Sequence, residues 1–139
     1  MKILIIQKDK NYRIPKRFLE RALSFYESKI TKLNSNKELV LVFVTAKEMK
    51  KINHQFRGKN KVTDVLSFSP SEKSSFGELI FCSQQIQLQA KLNSWSYQKE
   101  LSYMLLHGIL HLLGYEHEGD EKKAKKMFRL QDSIFEEFS

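Results

Sequence analysis

An unbroken apolar run at residues 39–44, with the sequence LVLVFV, limits the fold of this chain more than any other feature. A strand with one face in water alternates polar and apolar residues, whereas a continuous valine-rich run predicts a strand buried on both faces. A helical pattern precedes this run and another follows it. The chain is therefore predicted to combine helices with a buried sheet.

The rest of the chain continues this alternation of strand and helix signals. Further strands are predicted at residues 2–7, 65–68 and 78–81. Apolar spacing places Phe56 and Phe128 on the buried faces of their helices. Helix starts are predicted at five positions: Pro15, Thr45 with Glu48 as a capping box, Ser83, Ser96 and Asp120. The expected fold class is α+β, a small mixed sheet of about four strands covered by about five helices in a single domain over residues 1–139.

Composition excludes several classes of protein. The 139 residues include 41% hydrophobic side chains and only two Pro and five Gly, which supports one hydrophobic core and excludes collagen-like and disordered chains. No apolar run approaches the roughly 20 residues of a membrane span, and the N-terminal apolar stretch is too short for a signal peptide. Cys82 is the single cysteine and has no internal disulfide partner. We expect a soluble, cytoplasmic protein.

Positive charge is concentrated in the first half of the chain. Residues 1–70 contain 16 Lys and Arg against 6 Asp and Glu, whereas residues 71–139 contain 8 against 10. Six of the basic residues fall between positions 47 and 61. This density is typical of a surface that binds a polyanion. A solvated lysine-rich face would have the same composition, so charge alone leaves both interpretations open.

Three of the four histidines fall within the eleven residues HGILHLLGYEH at positions 107–117. His107 and His111 are one helical turn apart, so both imidazoles can reach one metal ion. Gly114 can end the helix in a left-handed conformation, after which the chain turns back and presents His117 as a third ligand. Three neutral imidazoles suit zinc and leave a fourth position for water, the pattern of a catalytic zinc site.

This spacing of histidines also matches the metzincin proteases, which need a general-base Glu directly after the first histidine. Gly108 occupies that position here. Without the carboxylate, peptide hydrolysis lacks the group that moves protons between water and the leaving amine. A metzincin-like metallopeptidase is therefore a less favoured hypothesis. His54 stands apart from the cluster and is expected to be an ordinary surface or partly buried residue without a role in metal binding.

A second motif lies upstream, NHQFRGKNKVTDVLSF at residues 53–68, and GELI follows at residues 77–80. With the histidine cluster, these segments make residues 40–130 resemble the YbeY family of metal-dependent bacterial endoribonucleases, which act in ribosomal RNA maturation. The resemblance implies that His107, His111 and His117 hold one zinc ion per chain and that Arg57 is functionally important. It also implies ribosomal RNA, the small ribosomal subunit and its assembly factors as partners.

The basic residues of the upstream motif suit phosphate chemistry. A guanidinium in a glycine-flanked turn can hold a phosphate through two hydrogen bonds and balance the charge that develops during attack. We predict Arg57 and His107 as catalytic residues and Arg57, Lys59 and Lys61 as contacts to RNA. Arg57 could instead pair with Asp64, which would make it structural.

Several acidic residues follow or interrupt the histidine cluster. Glu116 precedes His117 directly, and a carboxylate in that position can orient a ligand by a hydrogen bond. Glu116, Glu118 and Asp120 are all close to the predicted metal in sequence. The sequence does not rank them as proton-transfer groups.

The sequence thus predicts a zinc-dependent endoribonuclease that prefers single strands and acts in ribosomal RNA processing, 30S maturation and ribosome quality control. One alternative from a different class remains open. The chain could be a ribosome-assembly factor that binds RNA through its basic half and uses zinc only to brace its helices, without strong catalysis.

Overall fold

The computed structural model describes residues 1–33 and 36–139 and shows one mixed sheet in them. Its strands are β1 Lys2–Gln7, β2 Glu38–Val44, β3 Val65–Phe68 and β4 Ser75–Cys82. They lie in the order β1-β2-β4-β3. β2 pairs in parallel with β1 and with β4, whereas β3 pairs with β4 in the antiparallel direction.

The apolar run at residues 39–44 lies in β2, inside the sheet, and the prediction of a strand buried on both faces is confirmed. Leu41 pairs with Ile5 of β1 and with Leu79 of β4. Successive side chains point to opposite faces, so Leu41 enters a large hydrophobic cluster and Val42 a smaller one.

Five helices of the described chain cover this sheet: α1 Lys16–Lys29, α2 Ala46–Arg57, α3 Ser83–Leu92, α4 Tyr97–Leu112 and α5 Glu121–Phe138. Side chains from α1, α3, α4 and α5 form the large cluster, and Met49 brings α2 into the smaller one. The predicted α+β fold is confirmed. No helix among the described residues is long and apolar enough to cross a membrane.

The predicted helix starts have the expected capping bonds at three of the five positions. Thr45 Oγ1 and Ser96 Oγ each accept a hydrogen bond from the backbone N–H three residues later, at 3.2 and 3.1 Å, and Asp120 caps α5 in a similar way. Ser83 was predicted as a cap but is the first residue of α3. Because β4 runs directly into α3, the Ser83 hydroxyl is buried and accepts a hydrogen bond from the Tyr97 hydroxyl at 2.9 Å.

Two aromatic residues predicted to face the core lie at the surface instead. Phe56 is 61% exposed, and Phe128 is 37% exposed. Phe56 lies in the last turn of α2, outside the smaller hydrophobic cluster, where its ring packs against Phe68. Next to Phe128, Met127 is fully buried. Adjacent helical residues point about 100° apart, so Met127 faces the core while Phe128 points towards the surface.

Candidate metal centre

A cleft of about 910 Å³ opens along α4. The end of α2, residues 63–69, segment 114–118 and α5 also contribute to its lining. The cleft therefore brings together Arg57 from the basic half of the chain and the histidines from the other half.

The three clustered histidines converge in this cleft, and we refer to His107, His111 and His117 as the triad. The Nε2 atoms of His107 and His111 lie 3.1 Å apart, and His117 Nδ1 lies 2.7 Å from His111 Nε2. Gly114 has a φ of 99°, which lets the chain turn back after α4. One ring nitrogen from each histidine lies within 4.8 Å of the other two, so the triad could hold a metal ion.

The surroundings favour the neutral form of two of the three imidazoles, those of His107 and His111. Burial lowers the pKa of His107, and burial followed by the neighbouring histidines lowers the pKa of His111 to about 4. Both imidazoles are therefore neutral at neutral pH, with ring nitrogens that carry free lone pairs. Three imidazoles with converging nitrogens are a donor set that fits zinc.

A glutamine from α5 orients the most buried member of the triad. His107 is 7% exposed, and its Nδ1 donates a hydrogen bond to Gln131 Oε1 at 2.9 Å. This bond leaves Nε2 free to face the other histidines, as the supporting bond of a metal-bound histidine does. Sequence reasoning missed Gln131, because it lies on another helix and no local motif marks it.

Positive charge lies beside the triad, where Arg57 lines the cleft and Lys59 lies near the same carboxylate, and we refer to Arg57 and Lys59 as the cationic side. Arg57 Nη2 donates hydrogen bonds to both carboxylate oxygens of Glu118, at 3.0 and 2.9 Å. Lys59 Nζ lies 3.7 Å from Glu118 Oε2. The hydrogen bond from Arg57, the largest influence, lowers the pKa of Glu118. The cationic side therefore already holds an anionic group.

Glu118 also connects the cationic side to the triad. His117 Nε2 lies 3.9 Å from Glu118 Oε1. A single carboxylate thus reaches Arg57, Lys59 and one histidine of the triad. The anion-binding position and the candidate metal site are neighbours in space, although 60 residues separate Arg57 from His117 in the chain.

The loop after α2 is held by side chains that do not reach the triad. Gly58 ends α2 in the left-handed conformation with a φ of 69°, and the buried Asn53 side chain donates a hydrogen bond to the carbonyl of Lys61 at 3.0 Å. Asp64 Oδ1 accepts hydrogen bonds from the Val65 backbone and the Thr63 hydroxyl. Asp64 therefore braces the start of β3 and is not the partner of Arg57.

Two further carboxylates line the cleft. Glu116 is exposed, and its side chain forms no hydrogen bond or ion pair within the described ranges, so its predicted support of a ligand stays a prediction. Glu100 is 2% exposed and accepts a hydrogen bond from Asn93 at 2.8 Å. Burial raises the pKa of Glu100. Its position two helical turns before His107 was a sequence signal for the same face of α4 that we missed.

Gly108 packs tightly against the sheet, which bears on the peptidase alternative. A Cβ atom at this position would lie 2.7 Å from a methyl carbon of Leu79 in β4. A larger residue at this position would force the Leu79 side chain to move. The position of the metzincin general base therefore has no carboxylate and little free space, and metal-dependent peptide hydrolysis is not supported.

Comparisons with known proteins identify the family of this chain. A family model described as Endoribonuclease YbeY matches residues 4–139. Curated proteins named Endoribonuclease YbeY include one from Bdellovibrio bacteriovorus, 42% identical over 98% of this chain and 94% of that protein. Another, from Persephonella marina, is 40% identical over 98% of this chain and 92% of that protein. The solution structure of a Thermotoga maritima protein matches 97% of this chain and 87% of that chain, with a TM-score of 0.65 and 33% identity.

Proposed function

Since this chain belongs to the YbeY family and is a metal-dependent endoribonuclease, we propose that it uses zinc and cleaves single-stranded ribosomal RNA. Residues 1–139 would form one catalytic domain that acts in the cytoplasm in ribosomal RNA processing, 30S maturation and ribosome quality control. Its partners would be the small ribosomal subunit and assembly factors.

The position of Glu118 carries this proposal. Its carboxylate accepts two hydrogen bonds from Arg57 and lies 3.9 Å from Nε2 of His117, whose Nδ1 faces His111. A phosphodiester has the same charge as this carboxylate and a similar spacing of its oxygens, so a phosphate that replaced the carboxylate would be held by Arg57 beside His117.

His107, His111 and His117 would hold the zinc ion, with Gln131 fixing the orientation of His107. Bound zinc would supply a Lewis acid and lower the pKa of a water molecule to about 7. His107 counts as catalytic only in this sense, as a ligand at the reacting centre. The buried side of the triad keeps the three rings in place, so no large rearrangement is needed when RNA arrives.

Arg57 would stabilise the charge that grows on the phosphoryl oxygens, because its planar guanidinium donates two parallel hydrogen bonds. Lys59 and Lys61 would contact the RNA backbone on either side of that phosphate. Lys59 already lies near the anion position, and the backbone of Lys61 is fixed by Asn53. Glu116, Glu118 and Asp120 remain the candidates for proton transfer.

The test is single-turnover cleavage of a ribosomal RNA fragment by the purified protein, with metal content measured on the same sample. We expect one zinc per chain, cleavage in single-stranded regions, loss of activity after chelation, and recovery when zinc is restored. A matched RNA duplex should be cleaved much more slowly. Equal cleavage of both forms would contradict the single-strand preference. X-ray absorption that shows four protein ligands would favour a bracing role for zinc.

A further inference from the structure

We propose that Phe56 is a stacking platform for one RNA base next to the phosphate held by Arg57, a role that rests on the proposed function. Phe56 directly precedes Arg57 at the end of α2, and both line the cleft. A base that stacks on Phe56 would thus be close to the phosphate that Arg57 grips.

The large exposed hydrophobic residues of the described chain divide by type. The two aromatics, Phe56 and Phe128, both line the cleft. The aliphatics do not line it and lie elsewhere: Leu4, Ile6, Leu88 and Leu92. The two large exposed aromatic rings of the described chain are therefore both available to a ligand in the cleft.

The two aromatic rings differ in how much of their surface is already used. Phe128 lies nearly parallel to the His107 ring, with centroids 5.8 Å apart, and also contacts the His117 ring. The Phe128 ring is therefore already packed against two histidines of the triad. Phe56 packs against Phe68 in a T-shaped arrangement, with centroids 5.3 Å apart and 79° between planes. Because Phe56 is still 61% exposed, its ring has surface available for a ligand.

The chemistry around Phe56 favours a nucleic acid as the occupant of that surface. An aromatic ring beside Arg57 and Lys59 offers stacking and anion binding at once, which matches a base attached to a phosphate. Stacking on a side chain requires a base that is not stacked in a helix. The contact therefore gives a physical reason for the preference for single strands, because a duplex would have to release a base first.

The test is the half-saturating protein concentration in single-turnover cleavage of a single-stranded RNA, compared between wild type and Phe56→Ala. We expect it to rise about ten-fold or more, as for the loss of one stacked base. Phe56→Tyr should stay within about two-fold of wild type, whereas Phe56→Leu should resemble Phe56→Ala, because leucine keeps apolar area but has no ring face. Leu92→Ala, which removes an exposed side chain outside the cleft, is the matched control.

Salt dependence separates stacking from charge. Phe56→Ala should leave the slope of log affinity against log salt unchanged, whereas Lys59→Ala should reduce it by about 0.7. An RNA oligomer without bases should bind wild type and Phe56→Ala equally. Unchanged half-saturation in Phe56→Ala, or full rescue by leucine, would overturn the stacking role while leaving the proposed function intact. If wild type neither bound nor cleaved single-stranded RNA, the proposed function would fail and the role of Phe56 with it.

Discussion

The two sides of the cleft are built differently. The triad lies at a buried helix, where His107 is 7% exposed and Gln131 fixes its ring from behind. The cationic side lies at a helix end and a loop, where Arg57 and Lys59 retain about two fifths of their side-chain exposure and contact an exposed carboxylate. One side is held by the core, and the other is held by side chains that solvent reaches.

This difference matches what each side has to do. A metal centre needs fixed ligands, and a buried hydrogen bond such as the one from His107 to Gln131 is expensive to leave unmade, at about 1–3 kcal/mol. A surface that binds RNA must release its existing contacts when RNA arrives. An exposed ion pair such as Arg57 with Glu118 contributes about 0–1 kcal/mol, so an incoming phosphate can replace the carboxylate. The comparison predicts large effects of mutation on the triad and graded effects on the cationic side.

Replacement of a triad histidine should have the largest effect on zinc content. We expect His111→Ala to purify with less than a tenth of the zinc of wild type, because two imidazoles hold zinc far more weakly than three. His54→Ala is the matched control, since His54 is an exposed histidine outside the triad. Metal analysis of both variants checks this. Full zinc content in His111→Ala would remove His111 from the ligand set.

Arg57 should separate chemistry from binding. Because it would stabilise charge that appears in the transition state, Arg57→Ala should lower the single-turnover rate at saturating RNA by about 100-fold. Arg57→Lys should rescue poorly, since an ammonium lacks the planar fork. Zinc content must stay at the wild-type level in both variants. An unchanged rate at saturation, with only weaker binding, would make Arg57 a positioning contact.

Gln131 tests whether the buried side depends on support from α5. Gln131→Leu removes the hydrogen-bond acceptor for His107 Nδ1 but keeps a side chain of similar volume. Loss of such a supporting hydrogen bond should weaken zinc affinity by about 10- to 100-fold. Competition with a chromogenic chelator measures this affinity. If Gln131→Leu bound zinc as tightly as wild type, the support of His107 would be irrelevant to the metal.

The sequence predicted the elements that hold this cleft far better than the contacts within it. Strand and helix positions follow from local patterns, such as the apolar run in β2 and the capping bonds of Thr45 and Ser96. The triad was also predictable, because all three histidines lie within one helix and the turn after it. Local spacing sufficed in each of these cases.

Contacts between distant segments had no such signal. The pairing of Arg57 with Glu118 and the support of His107 by Gln131 arise only when segments distant in the sequence pack together. Phe56 and Phe128 were predicted as core residues because a periodic pattern counts apolar side chains and cannot tell a core from a cleft. Both errors therefore fall on the functional surface.

Glu100 extends the comparison to stability, because the buried side of the cleft holds a carboxyl group with a pKa raised by burial. Glu100 therefore loses its proton at a lower pH in the unfolded chain than in the folded protein. As pH rises through the folded pKa, this residue lowers the free energy of unfolding. Glu100→Gln keeps an acceptor for Asn93 and should raise the free energy of unfolding at pH 8 by on the order of 1 kcal/mol. Urea denaturation should show no gain at pH 4. A gain of equal size at both pH values would assign the effect to packing.

Glu118 gives the sharpest test of the exposed side, because two roles predict opposite results. If its carboxylate only holds the place of a phosphate, then Glu118→Gln removes a competitor for Arg57 and Lys59. RNA affinity should rise about two- to five-fold, the range expected from one exposed ion pair. The gain should shrink at high salt, since exposed charges are screened.

The opposite result would place Glu118 in the chemistry. A carboxylate that transfers a proton contributes about 10²–10⁴ in rate, so Glu118→Gln would then lower the rate at saturating RNA whatever happened to binding. Glu116→Gln is the matched control, because it makes the same charge change two residues away at a side chain without a hydrogen bond among the described residues. We expect higher affinity in Glu118→Gln than in Glu116→Gln, with a rate at saturation within about three-fold of wild type, below any general acid–base contribution. That outcome would identify the carboxylate as the group that RNA displaces when it binds, and a fall in rate confined to Glu118→Gln would identify it as the proton-transfer group.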